Sequence, residues 1–256
     1  MEILLTNDDG IFAPGIRALT HELCKIGNVT ILAPDREQSA TGHAITVHHP
    51  LRVQEMEFGD DSCVKAYSVD GTPSDCVKLG AEVVLKKKPA LVVSGINRGP
   101  NLGTDVLYSG TVSAALEGVI LGIPSIAVSL ATVEEADYAF AAKFTRIASI
   151  NIVTRGLPPD TLLNINIPSL EEKDIAGVQI TRLGIRRYKD VFDRRTDPRG
   201  KVYYWLAGEV IDLDEDPDTD TVAIRNNLIS VTPIHFDLTK HALIQELESW
   251  TWPLEN

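Results

Sequence analysis

The sequence of 256 residues predicts an α/β protein with a Rossmann-like, mostly parallel, doubly wound sheet, a C-terminal β-hairpin extension and a short terminal helix. Three observations carry that expectation. The first 33 residues hold strand, helix and strand, too little chain for anything but a parallel crossover unit. The alternation then continues to about residue 167. Finally, the segments following three of the strands are rich in oxygen-bearing side chains, as ligand loops at the carboxyl edge of such a sheet are.

Taken in order, Glu2 to Thr6 is a short apolar run that reads as a buried strand. After the turn at residues 7–10, Pro14 stands where a first helical residue belongs. Ile16, Leu19, Leu23 and Ile26 recur at helical spacing until Gly27 ends the pattern. Val29 to Ala33 is the second strand. Thr72, Pro73 and Asp75 open a helix expected to reach about Lys87, and Ala90 to Ser94 is a strand. Ser109 caps a helix whose apolar face includes Val112, Ala115, Leu116 and Val119. Ser125 to Leu130 is a strand, Ala136 to Arg155 a helix with Phe140, Phe144 and Ile147 on one face, and Leu162 to Ile167 a strand. From about Arg182 the strand–helix rhythm stops. A charged stretch, an aromatic one (KVYYWLAG) and an acidic one (DEDPDTD) predict a hairpin arm over 182–235, a common kind of assembly surface, within one domain spanning 1–256. Leu238 to Leu247 is expected as the terminal helix.

The bulk numbers exclude some functions. A formal charge of −12 and a pI near 4.9 argue against wrapping a nucleic-acid duplex. They also mean that an anionic substrate needs a local positive charge, which a bound metal ion supplies. No apolar run approaches the roughly 20 residues of a membrane span, and the N-terminus turns polar too soon for a secretory leader. Cys24, Cys63 and Cys76 are scattered and odd in number, so they read as reduced packing residues of a cytoplasmic protein.

The chemistry-bearing residues fall at strand ends. The first strand runs into Thr6-Asn7-Asp8-Asp9-Gly10, the second into a loop holding Ser39, the Ala90 strand into Asn97-Arg98-Gly99. Adjacent carboxylates raise each other's pKa or recruit a cation. Asp8, Asp9, Ser39 and Asn97 together make an all-oxygen shell suited to one divalent ion, Mg²⁺ or Mn²⁺ foremost and Ca²⁺ next. The plainer reading is that Asp8 and Asp9 cap the following turn and helix. The long loop from Asn97 through Asn101 opens a helix at Ser109-Gly110-Thr111, whose free N–H groups suit phosphate. It lacks the ending of a Walker loop. The six histidines match no catalytic pattern; His43, close to Ser39, is the one of interest. No serine-hydrolase elbow is present. The basic cluster Arg182, Arg186, Arg187, Lys189, Arg194 and Arg195 reads as a solvated face or as a partner for the acidic run 212–220.

These motifs resemble the SurE survival-protein family of nucleotidases. The resemblance rests on TNDDG at 6–10, PDREQSATGHAIT at 34–46, VDGTPSDCV at 69–77, SGINRGPNLGTDVLYSGTVSAALEG at 94–118, DPRGKVYYWLAG at 197–208 and TDTVAIRNNLISVTPIHFDLT at 219–239, in order along nearly the whole chain. It implies a phosphatase acting on nucleoside 5′- or 3′-monophosphates. It implies metal ligands at Asp8, Asp9, Ser39 and Asn97, and phosphate contacts in the Asn97 loop, including Asn101, and at Ser109, Gly110 and Thr111. It also implies homodimers or homotetramers with exchanged C-terminal elements. Ala40, Thr41, Ser74 and Ser113 depart from residues common in the family, away from the four ligands. The expected mechanism is attack by a metal-activated water, with Asp8 or Asp9 orienting or deprotonating it. The alternatives are an aspartyl-phosphate route through Asp8, and a non-catalytic metal-dependent nucleotide sensor. A glycosyltransferase is disfavoured because its spaced aspartates are missing.

Overall fold

The computed structural model describes residues 1–59, 62–132, 134, 136–189, 191–212 and 214–253. The central strand β1 (Glu2–Thr6) explains the two-layered core by its alternation. Ile3 and Leu5 face one side of the sheet and Leu4 the other, all fully buried. Helix α1 (Pro14–Leu23) starts on its proline and buries Ile16, Leu19 and Leu23 against the first side. It ends at Leu23, so Ile26 packs from the turn beyond it. Strand β2 (Asn28–Pro34) returns parallel to β1.

The sequence reading lacks the next two strands. β3 (Val53–Met56) is an antiparallel edge beside β4 (Val64–Val69), and β4 is parallel to β2. Both are short and interleave polar residues with few apolar ones, so neither presents a buried run. Helix α2 (Pro73–Leu79) opens with a reciprocal capping box between Thr72 and Asp75. It passes into one π-helical turn, Gly80–Val84, and stops three residues short of the expected Lys87.

β5 (Leu91–Arg98), α3 (Gly110–Ile120, after a 3₁₀ turn at Gly103–Leu107), β6 (Ser125–Ala131), α4 (Ala139–Arg155) and β7 (Thr161–Pro168) follow as the alternation predicts. β8 (Gly177–Ile180) is a further short edge strand. The arm is a long hairpin in two segments. β9 (Arg186–Lys189) pairs with β12 (Glu209–Asp212) at its root, and β10 (Phe192–Thr196) pairs with β11 (Val202–Leu206) at its tip.

The rest of the 182–235 stretch rejoins the core. Helix α5 (Asp220–Arg225) leads into β13 (Leu228–His235), which lies antiparallel to β7 and parallel to β8. Of the basic cluster, Arg182 pairs with Asp216 of the acidic run 212–220, whereas Arg186 pairs with Asp105, outside it; Leu213 of that run lies outside the described residues. The terminal helix appears as a 3₁₀ turn at His241–Leu243 followed by α6 (Ile244–Glu248).

The sheet order is β3-β4-β2-β1-β5-β6-β7-β13-β8. The chain winds outward from β1 in one direction and from β5 in the other, so the crevice between their carboxyl ends is the switch point where ligands bind in such sheets. Helices α1 and α4 cover one face and α2 and α3 the other.

The expectation of three reduced thiols is corrected. Cys24, just past α1, and Cys63, just before β4, form a disulfide, with Cα atoms 6.0 Å apart; Cys76 is a free, buried thiol. The thirty-nine-residue separation hid the pair. The unpredicted β4, lying beside β2, is what carries Cys63 back to the end of α1.

Candidate active site

Three chain segments converge at the switch point, each tied there by a bond that can be named. At the end of β1, Asn7 donates to the Gly10 carbonyl (2.8 Å), closing the turn that displays Asp8 and Asp9. Gly10 has φ +96°, which any side chain would strain, and a Cβ there would lie 3.3 Å from the Arg36 backbone. The Ser39 loop is tied in by the Gln38 N–H, which donates to the Asp8 carbonyl (2.8 Å). The end of β5 is tied in by the Arg98 N–H, which donates to Asp9 Oδ2 (3.1 Å).

The start of α3 presses on Asp8. The Thr111 N–H donates to Asp8 Oδ2 (3.1 Å) and the Thr111 hydroxyl to Asp8 Oδ1 (2.5 Å). A Cβ on Gly110 would stand 2.9 Å from both Asp8 Cβ and Oδ2, so glycine is what allows this approach. Ser109 caps the helix by accepting from the Val112 N–H (3.1 Å). Thr111 and Val112 thus spend their amides inside the protein, and the Gly110 amide is left without a partner among the described residues.

Asp8 is 5% exposed, and burial pushes its pKa up to about 6; the Thr111 hydroxyl opposes this and the charge of Asp9 adds to it. Asp9 is also raised, first by burial and then by Glu37, against the Arg98 amide. Neither forms an ion pair with a Lys or Arg side chain among the described residues. The same surroundings, chiefly burial and then Asp9, raise the pKa of Tyr138 at the start of α4.

Asn97 is half-buried past a register shift in β5, and its amide nitrogen donates to the Gly99 carbonyl (2.8 Å). Its Oδ1 has no hydrogen-bond partner among the described residues. Ser39 is exposed, and its hydroxyl donates to Glu37 (2.6 Å). The donor set fits a divalent cation: two poorly compensated carboxylates, a free amide oxygen and a hydroxyl, all hard oxygen ligands.

Asn101 has another neighbourhood. Its amide donates to Ser129 Oγ (2.8 Å), its backbone N–H to Asn166 Oδ1 (2.8 Å), and its carbonyl accepts from Asn164 and Asn166 (2.9 Å each). This buried knot pins the loop to β6 and β7. Sequence reasoning missed Asn164 and Asn166, although two asparagines in alternation within an apolar strand (LLNINIP) are a legible sign of a buried polar pair. It also missed Asp220. This fully buried carboxylate accepts from the Gly103 and Gly184 amides (2.8 Å each) and so fixes the 3₁₀ turn before α3.

The fold and the site define a class: a Rossmann-like α/β protein with a buried pair of carboxylates and neighbouring oxygen-bearing side chains at its switch point. Within that class the chain belongs to the SurE family. The family model described as "Survival protein SurE" matches residues 3–190. A relative from Heliobacterium modesticaldum, called "5'-nucleotidase SurE", is 58% identical over 98% of this chain and 92% of its own. One of the same name from Moorella thermoacetica is 56% identical over 99% and 98%. The crystal structure of the SurE protein from Aquifex aeolicus is 44% identical, with a TM-score of 0.84 over 97% of this chain and 98% of that one.

Proposed function

We propose that this protein is a divalent-metal-dependent phosphatase that hydrolyses nucleoside 5′-monophosphates, and 3′-monophosphates as well, to nucleoside and phosphate. The observation that carries the reading is Asp8, a carboxylate almost wholly buried beside a second one, with no basic side chain in an ion pair with either among the described residues. The relatives called 5′-nucleotidase support the substrate class.

Asp8, Asp9, Ser39 and Asn97 hold one cation per subunit in this proposal, Mg²⁺ or Mn²⁺ before Ca²⁺, with Ser39 exchanging its bond to Glu37 for the site. When bound, such an ion neutralises phosphate charge and lowers the pKa of a coordinated water. The Gly110 amide, at the positive end of an eleven-residue helix, binds a phosphate oxygen. Thr111 orients Asp8, while Asn101 and Ser109 act by fixing the loop and the helix turn. Water attacks phosphorus in line with the leaving ribose oxygen. Asp9 accepts the proton, because among the described residues one of its oxygens is left without a donor, whereas both of Asp8 are held by Thr111.

The arm exposes Phe192, Tyr204, Trp205 and Leu206, and the C-terminal segment Trp250 and Trp252. So much apolar surface supports a homodimer or homotetramer with exchanged C-terminal elements. No described helix is long and apolar enough to cross a membrane; a cytoplasmic setting belongs to the proposal on the substrate class alone, since the Cys24–Cys63 disulfide is of a kind uncommon there.

The test is phosphate release from a panel of nucleoside monophosphates in EDTA, Mg²⁺, Mn²⁺ and Ca²⁺, for the wild type and Asp9→Asn. Metal-dependent release, lost in the variant, is expected. Tight nucleotide binding without release under any metal would leave only a sensor.

A further inference from the structure

We propose that His43 is a positioning residue: by binding the buried carboxylate of Glu117 it holds the loop that presents Ser39 to the cation site. This rests on the reading of Ser39 as a ligand.

Glu117 is unusual. It lies well inside α3, on a helix that is otherwise largely apolar, and is only 4% exposed. Two side chains from different elements contact it. His43 Nε2 lies 2.8 Å from Oε2, and Lys78 of α2 donates to Oε1 at 3.2 Å. The two contacts hold the carboxyl below its usual pKa against the cost of burial, with the His43 bond the larger cause. A carboxylate in the core is retained only where such partners repay its desolvation, and one of these partners comes from a loop with no helix or strand of its own.

Residues 42–46 of that loop, between β2 and β3, make four hydrogen-bonded staples to the rest of the protein. The Gly42 N–H donates to the Tyr108 carbonyl (3.1 Å), the Ala44 carbonyl accepts from the Thr72 hydroxyl (2.7 Å), and the Thr46 N–H donates to Asp75 Oδ1 (3.0 Å). Those three use backbone atoms of the loop; the fourth is the side chain of His43. A substitution at 43 therefore removes one staple and leaves the other three, and Lys78 still faces Glu117.

Strain beside Ser39 shows that the loop needs holding. Ala40 sits at φ +56°, in the left-handed region that non-glycine residues avoid. Such a conformation persists where the surroundings over-determine it. With the Gln38 amide on the Asp8 carbonyl on one side and His43 on Glu117 on the other, the segment carrying Ser39 is fixed at both ends. Without His43 the far end rests on the backbone bonds at Gly42, Ala44 and Thr46 alone, so the segment loosens and the Ser39 hydroxyl is presented less often.

The experiment titrates Mn²⁺ alone into metal-free protein by calorimetry, for the wild type, Ser39→Ala, His43→Ala and His43→Gln, alongside the Mn²⁺ dependence of phosphate release. Losing a residue that orients a ligand weakens metal affinity by about tenfold or more. His43→Ala is therefore expected to bind Mn²⁺ about tenfold more weakly and to recover its maximal rate at saturating Mn²⁺. His43→Gln, whose amide can still donate to Glu117, recovers part of the affinity. If Ser39→Ala is weakened while His43→Ala binds like the wild type, the tether is overturned. Wild-type affinity in Ser39→Ala would instead remove Ser39 from the shell, and the tether with it.

Discussion

Replacing Asp8 by asparagine should stabilise the metal-free protein while abolishing its activity. In the folded chain the Asp8 carboxyl is raised from the ordinary 3.8 to about 6 by burial. A folded pKa above the unfolded one means that the protonated form is preferred on folding. The contribution of Asp8 is therefore most favourable below pH 4 and is lost as pH rises through 6. Two units at 1.36 kcal/mol each put the cost at neutral pH at about 3 kcal/mol. Asparagine has nearly the same shape and carries no charge. It can accept from the Thr111 N–H and donate to the Thr111 hydroxyl oxygen, which reverses one hydrogen bond and breaks none. The assay is thermal unfolding in EDTA at pH 7.5 and pH 4. At pH 7.5 the variant should melt higher by about 6–12 °C, given about 2–4 °C per kcal/mol for a chain of this size. At pH 4 the gap should close. Adding Mn²⁺ should raise the wild type and leave the variant where it was. A variant melting at or below the wild type in EDTA at pH 7.5 would refute the claim that Asp8 is an uncompensated buried charge.

Three further outcomes follow from the packing. Gly110→Ala places a methyl group 2.9 Å from Asp8 and should cost about 1–3 kcal/mol in denaturant unfolding as well as most of the phosphatase activity. Reducing the Cys24–Cys63 bond, or Cys24→Ser, frees a loop of thirty-nine residues and should lower stability by about 4 kcal/mol; an unfolding midpoint insensitive to reductant would contradict the pairing. Ala40→Gly relieves a left-handed residue and should raise stability by about 1 kcal/mol, read from the urea midpoint.

How much of this was legible in the sequence depended on range. Strands β1, β2, β5, β6 and β7 announce themselves because they are buried on both faces and so are continuously apolar. Strands β3, β4 and β8 do not, since edge and near-edge strands keep polar residues. β13 was hidden by the charged arm inserted before it. At the site, Asp8 and Asp9 were visible as neighbours in an unusual place, and the Ser39 and Asn97 segments as loops on the same edge. The Thr111 clamp on Asp8, the Asn101 knot and the His43–Glu117 pair join residues 28 to 103 positions apart, and nothing local marks them. The disulfide was missed for the same reason.

The arm also begins and ends in one place. Arg182 and Thr219 form a parallel bridge, with the Arg182 N–H donating to the Asp218 carbonyl and the Asp220 N–H to the Arg182 carbonyl (3.0 Å each). The hairpin is therefore a side loop closed at its neck rather than a length of the main fold. Its strands can lengthen, shorten or change their surface residues while the neck, and the sheet behind it, keep their register. The arm and the Asp8–Asp9 site are in this way carried by separable stretches of one chain.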